Sequence, residues 1–138
     1  MPEQKMDESQ NVNASSLGQL QLLLAEDNQI NQLLIRKLVA DWGFKIDIAQ
    51  NGLEALELFN QFDYDLILMD MALPSMDELA ATRRIKDIME GSDIPIIGIT
   101  AHGNFYNKKA LEAGCVAIVS KPIDLKKLSR VIAKYLKP

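Results

Sequence analysis

The chain has one cysteine, Cys115, one histidine, His102, and one tryptophan, Trp42. A single cysteine excludes an internal disulfide and fits a reducing cytosol. Cys115 follows Gly114 at the start of an apolar run, so it reads as a small buried core residue and not as a reactive thiol. Long apolar runs are also missing. No stretch approaches the ~18 apolar residues of a membrane span, and the N-terminus lacks the apolar core of a signal peptide. Positive charge is not in excess: the net charge is −4, which argues against direct nucleic-acid binding. Lys5 against Glu3, Asp7 and Glu8 gives the first 18 residues −2 of that total.

What is present is ordinary for a water-soluble domain. The chain has 138 residues, 48% hydrophobic and 25% charged, enough for one domain with one sizeable core. Basic residues are uneven, with Lys126, Lys127, Arg130, Lys134 and Lys137 all in the last segment. A solvated helix face accounts for that run, and a docking surface for an acidic partner is the sharper alternative.

Residues 1–18 are polar, aperiodic and rich in Gln, Asn and Ser. They read as a disordered tail or linker, with the folded domain over 19–138. From Gln19 onward, strand and helix patterns alternate. Asn28 to Trp42 is helical: Ile30, Leu33, Leu34, Lys37, Leu38 and Asp41 recur at helical spacing, the aliphatic members on one stripe, and Gly43 ends the helix. Lys45 to Ala49 alternates as an edge strand does. Asn51-Gly52 turns into a helix through about Phe59. A loop with Pro74 precedes a helix near Leu79–Met89. Gly91-Ser92-Asp93 breaks the chain, and Pro95 opens the next strand. A short helix spans Asn104–Ala113. Asp124 is an N-cap for Leu125–Leu136, whose apolar stripe is Leu125, Leu128, Ile132, Tyr135 and Leu136. The pattern predicts five βα units in a doubly wound, three-layer α/β fold.

Four apolar runs each end in a chemically active side chain. Leu22-Leu23-Leu24-Ala25 runs into Glu26-Asp27, and Leu66-Ile67-Leu68-Met69 ends at Asp70. Ile96-Ile97-Gly98-Ile99 ends at Thr100, and Val116-Ala117-Ile118-Val119 ends at Ser120-Lys121. Nearly unbroken apolar runs are strands buried on both faces, hence a parallel sheet with helices on each side. Sites in such sheets form beyond the carboxyl ends of the strands. Three carboxylates, a hydroxyl and an ammonium therefore converge. Carboxylates at close range repel each other, so the spot calls for a divalent cation.

At these residues the chain resembles the receiver domain of two-component response regulators, over about Gln19 to Leu136. The matching stretches are Leu24-Ala25-Glu26-Asp27-Asn28-Gln29-Ile30-Asn31-Gln32, Asp65 to Met71, Pro74-Ser75-Met76-Asp77, Ala81-Thr82-Arg83-Arg84-Ile85, Thr100-Ala101 and Lys121-Pro122-Ile123. The first and third look most like receivers of hybrid histidine kinases. The resemblance implies a flavodoxin-like sheet of order 2-1-3-4-5. It implies Asp70 as the phosphoacceptor, a carboxylate nucleophile. Mg²⁺ would be held by Asp27 and Asp70, by Glu26 through water and by the Ala72 carbonyl. Lys121 would pair with a phosphoryl oxygen, Thr100 would donate its hydroxyl to another, and the backbone at Met71 and Ala101 would face the phosphoryl group. Family members sense the modification by moving the threonine inward, and commonly carry a cis peptide like that expected at Lys121–Pro122. His102, two residues after Thr100, reads as a loop residue at the site entrance, and Trp42 as helix-end packing.

The chain departs from the family pattern in three places. Glu78 stands where glycine is usual, so the loop or the next helix start should be rearranged. Ile118 stands where the last strand usually carries Tyr or Phe, and it cannot report a ring exchange. Val116 and Ala117 replace acidic residues, which makes the end of the sheet more apolar; Phe105 and Tyr106 are candidates for the missing aromatic surface.

The leading expectation is a phosphorelay switch, not an enzyme beyond its own phosphotransfer and slow autodephosphorylation. It would work with a histidine kinase or histidine phosphotransfer domain as a monomer or weak dimer in the cytoplasm. The alternative is an interaction module that works without phosphorylation. An Asp-nucleophile phosphatase is disfavoured because Ala72, not aspartate, follows Asp70 by two residues. A flavin-mononucleotide carrier is disfavoured because Glu26-Asp27 would repel phosphate. The expected dock is the first helix plus the Pro122–Asp124 loop, with Ile30, Leu33 and Leu34 left partly uncovered.

Overall fold

The computed structural model describes residues 20–71, 76–88, 94–100 and 104–136. The proposed tail, the Pro74 loop, the Gly91-Ser92-Asp93 break, Ala72, Ala101 and His102 lie outside the described residues, as do the side chains of Phe105 and Tyr106. The strands are β1 (Gln21–Ala25), β2 (Lys45–Ala49), β3 (Leu66–Asp70), β4 (Ile96–Thr100) and β5 (Ala117–Ser120). They form one parallel sheet, as the apolar runs predict, in the order β2-β1-β3-β4-β5 that the resemblance implies. The helices are α1 (Gln29–Asp41), α2 (Gly52–Gln61), α3 (Met76–Ile88), α4 (Asn104–Ala113) and α5 (Leu125–Tyr135).

The three central strands are apolar on both faces because both faces are covered. Leu22, Leu24, Leu66, Leu68, Ile97 and Ile99 pack with Ile35 and Val39 of α1 and with Leu128 and Ile132 of α5. Leu23, Ile67, Met69 and Ile96 point the other way, into a second cluster with Ala55 of α2, Ile85 of α3 and Ala110 of α4. Full burial of each such side chain is worth about 1.5–3 kcal/mol. Short polar residues start the helices as their types suggest. Asn28 accepts from the Asn31 amide, Asn51 from the Glu54 amide, and Asp124 from the Lys126 and Lys127 amides. Gly43, at φ +81°, turns the chain after α1, where Trp42 packs edge-on against Phe44.

One expectation is met and one is corrected. Ile30, Leu33 and Leu34 are left uncovered as expected, Ile30 and Leu33 at 68% and 65% exposed, while Ile35 and Val39 face the core. The helix carries two apolar stripes, and the sheet can cover only one of them. Helix α3 starts at Met76, three residues earlier than the spacing predicts. Position 78 is thus the third residue of a helix, a backbone conformation open to any L residue. Glutamate there needs none of the freedom of the glycine it replaces.

Gly98 makes a close approach possible. A Cβ at this position would lie 3.1 Å from both Cys115 Sγ and Ile118 Cδ1. Gly98→Ala is expected to destabilise the domain by about 1–3 kcal/mol through overpacking, read as a lower urea midpoint. An unchanged midpoint would show that both neighbours have room to retreat.

Candidate functional site

Strand ends build the site. The Glu26 amide donates to Ala49 O at 3.0 Å and the Lys121 amide to Thr100 O at 2.7 Å. These bonds carry the sheet ladder one residue beyond β1 and β5, so the side chains at these positions inherit the precision of the sheet. Asp70 is the last residue of β3 and Thr100 the last of β4. The Lys121–Pro122 peptide is cis, as the resemblance implied.

The start of α1 holds Glu26. Its Oε2 accepts the Asn28 amide at 2.9 Å, and its carbonyl accepts from the Gln32 side-chain amide at 2.6 Å. Glu26 is 1% exposed, and its Oε1 accepts no hydrogen bond. Burial pushes the Glu26 carboxyl up to about 7; the Asn28 amide opposes this, and the neighbouring Asp70 adds to it. One carboxylate oxygen from each of Glu26, Asp27 and Asp70 lies within 4.8 Å of the others. Lys121 Nζ donates to Asp70 Oδ2 at 2.9 Å and lies 3.6 Å from Glu26 Oε1. Burial works against the Lys121 charge, but the Asp70 hydrogen bond and the three carboxylates outweigh it, and its pKa is raised.

The expected set of Glu26, Asp27, Asp70 and Lys121 is therefore together. The donor chemistry fits a hard divalent cation: three carboxylates, oxygen ligands only, and one buried oxygen left without a donor. Thr100 is fully buried beside this group, and its hydroxyl donates to Asn107 Oδ1 of α4 at 2.9 Å. Asn107 was not legible as a partner. The only signal for it is that it precedes the small residue Ala110 by one helical turn. The Met71 amide donates to Ile99 O, because residue 71 continues the β3–β4 ladder, and its side chain is buried in the core. Cys115 is buried as expected, and burial pushes its thiol up to about 12.

This fold with an acidic cluster and a lysine at the strand ends defines a receiver module. Residues 22–133 match the response regulator receiver domain family, and the chain belongs to it. It is thus a signalling domain of the two-component phosphorelay class. It is similar to hybrid signal transduction histidine kinase I of Dictyostelium discoideum, 41% identical over 129 residues, covering 88% of this chain and 7% of that kinase. It is also similar to the polar-differentiation response regulator DivK of Brucella anthropi, 37% identical over 116 residues, covering 83% of this chain and 94% of DivK. Among solved structures, the Saccharomyces cerevisiae Ssk1 receiver domain, crystallised with the histidine phosphotransfer protein Ypd1, superimposes with a TM-score of 0.77. It is 27% identical, and the match covers 85% of this chain and 88% of that one. The receiver of the Pseudomonas aeruginosa sensor histidine kinase PA1611, with magnesium in its active-site cleft, gives a TM-score of 0.76 at 31% identity. That match covers 86% of this chain and 98% of the other. Among the described residues, no helix is long and apolar enough to cross a membrane.

Proposed function

We propose that Asp70 takes a phosphoryl group from a phosphohistidine. The phosphorus–nitrogen bond of the donor breaks as an Asp70 carboxylate oxygen bonds to phosphorus. The imidazole nitrogen keeps the electron pair and later takes a proton. The product is an acyl phosphate, which hydrolyses slowly, so the mark is temporary. The observation that carries this reading is the carboxylate triad of Glu26, Asp27 and Asp70 with Lys121 bonded to Asp70. Mg²⁺ held by these carboxylates would neutralise charge on the transferring group. Lys121 is the countercharge that can follow a phosphoryl oxygen on its flexible stem. The Thr100 hydroxyl donates to another. Residues 19–138 form the receiver unit, with 1–18 as a tail or linker. The domain works in the cytoplasm, as a monomer or weak dimer.

The test is incubation with acetyl phosphate and Mg²⁺, read by intact mass. A phosphoryl adduct is expected. With no adduct, the domain is an interaction module that works without phosphorylation. The packing of Ile118 beside Gly98 keeps that second reading specific, because an aliphatic residue stands where the family carries its mobile ring.

The partner is a helical histidine phosphotransfer domain or histidine kinase, docked on α1 and the Pro122–Asp124 loop. Ile30, Leu33 and Leu34 are exposed on α1, which starts beside Asp27. An apolar patch bordering a reaction centre suits a partner that must bring its histidine to Asp70. Chemical-shift mapping with a histidine phosphotransfer domain is expected to perturb Ile30–Leu34. Perturbations confined to Lys108–Ile118 and the outer face of α5 would overturn this dock.

A further inference from the structure

We propose that Asn107 is the resting-state partner of the Thr100 hydroxyl, and that it competes with the phosphoryl group for the single proton of that hydroxyl and so positions Thr100. The proposal rests on the phosphoacceptor reading above. Thr100 Oγ1 donates to Asn107 Oδ1 at 2.9 Å. A threonine hydroxyl has one proton to donate, so donation to Asn107 and donation to a phosphoryl oxygen on Asp70 exclude each other. Thr100 is fully buried, so water does not stand in as a third acceptor. Asn107 is only half-buried, so water can take over its carboxamide once Thr100 turns away. The exchange therefore leaves no buried polar group without a partner.

The same geometry says where the signal goes. Ile118 has no polar atom to exchange with Thr100. It packs with Cys115 into the space that Gly98 leaves on β4. Ala110 is fully buried against the same spot, 3.6 Å from where a Gly98 Cβ would stand. Asn107 and Ala110, three residues apart, share the helix face that meets β4. Ala110 pins α4 to the sheet, and Asn107 ties the preceding turn to Thr100. Loss of that tie acts on the first turns of α4, which takes the reporting role that position 118 cannot fill.

The test uses beryllofluoride with Mg²⁺ as the probe, a mimic of the acyl phosphate, with affinity read by calorimetry and α4 amides by NMR. Asn107→Ala removes the acceptor with a residue that suits a helix. It is expected to bind beryllofluoride about 3–10-fold tighter, the ratio for one neutral hydrogen bond. Its probe-free α4 amide signals should move toward the probe-bound positions of the unsubstituted chain. The gain should persist in a Thr100→Ser background and vanish in Thr100→Val, which a purely structural effect of Asn107 would not do. Equal affinity with and without Asn107, or a gain that survives Thr100→Val, overturns the proposal while leaving the phosphoacceptor reading in place. If the unsubstituted chain binds no beryllofluoride and takes no phosphoryl group, that reading falls and this proposal with it.

Discussion

Asp70→Asn is expected to abolish phosphorylation completely. Under acetyl phosphate and Mg²⁺ the unsubstituted chain gains a phosphoryl adduct and the variant gains none. The two side chains have nearly the same shape, so the end of β3 has no reason to move. What is lost is the anionic oxygen that attacks phosphorus; a neutral amide offers no comparable nucleophile. The variant should fold at least as well as the unsubstituted chain. Asp70 lies within 4.8 Å of two other carboxylates, and removing one of three close negative charges offsets the loss of the Lys121 pairing at 2.9 Å. A melting temperature that holds while the adduct disappears separates lost chemistry from lost fold. An adduct of full size in Asp70→Asn would move the phosphoacceptor elsewhere and overturn the assignment.

The second large effect is a pH-dependent stability that Mg²⁺ suppresses. Burial raises the Glu26 carboxyl from 4.5 to about 7. A carboxyl whose folded pKa exceeds its unfolded value binds more protons in the folded state. Its contribution to stability is therefore fully present below about pH 4.5 and is lost as pH rises through about 7. The metal-free domain should lose on the order of 3–4 kcal/mol across that window, since one pKa unit corresponds to ~1.4 kcal/mol. Lys121 does not blur the window, because its pKa is raised from 10.5 and its charge is constant there. Glu26→Gln should flatten the profile. Mg²⁺ should oppose the loss, because it binds the ionised carboxylates of the folded state, stabilising by about 2.7 kcal/mol at a hundredfold excess over Kd. Asp27→Ala should remove most of that gain. Urea midpoints measured from pH 4.5 to 7.5, with and without Mg²⁺, decide the matter. A metal-free profile that rises with pH, or a Mg²⁺ response equal in Asp27→Ala, contradicts the assignment.

The amino-acid sequence alone determined the strands, the parallel sheet they form and the place of the site. Leu22–Ala25, Leu66–Met69 and Ile96–Ile99 are apolar without alternation, and only a sheet covered on both faces can bury such runs. The residues just past them, Glu26, Asp27, Asp70 and Thr100, then had to lie at one edge. Asp124 was readable as a cap because capping is local, resting on a side chain that reaches two or three residues along its own chain. Tertiary structure decided everything that depends on which face meets which neighbour. Both apolar stripes of α1 have helical spacing, and only the position of the sheet turned Ile35 and Val39 inward and left Ile30 and Leu33 outside. The Met71 amide went to Ile99 because β4 lies beside β3. The bond between Thr100 and Asn107 joins a strand end to a helix across a loop, and the tight fit at Gly98 joins β4, β5 and α4. Periodicity reports that a residue is apolar or can hydrogen-bond. Which partner it meets is set by the docking of whole elements, which no local pattern encodes.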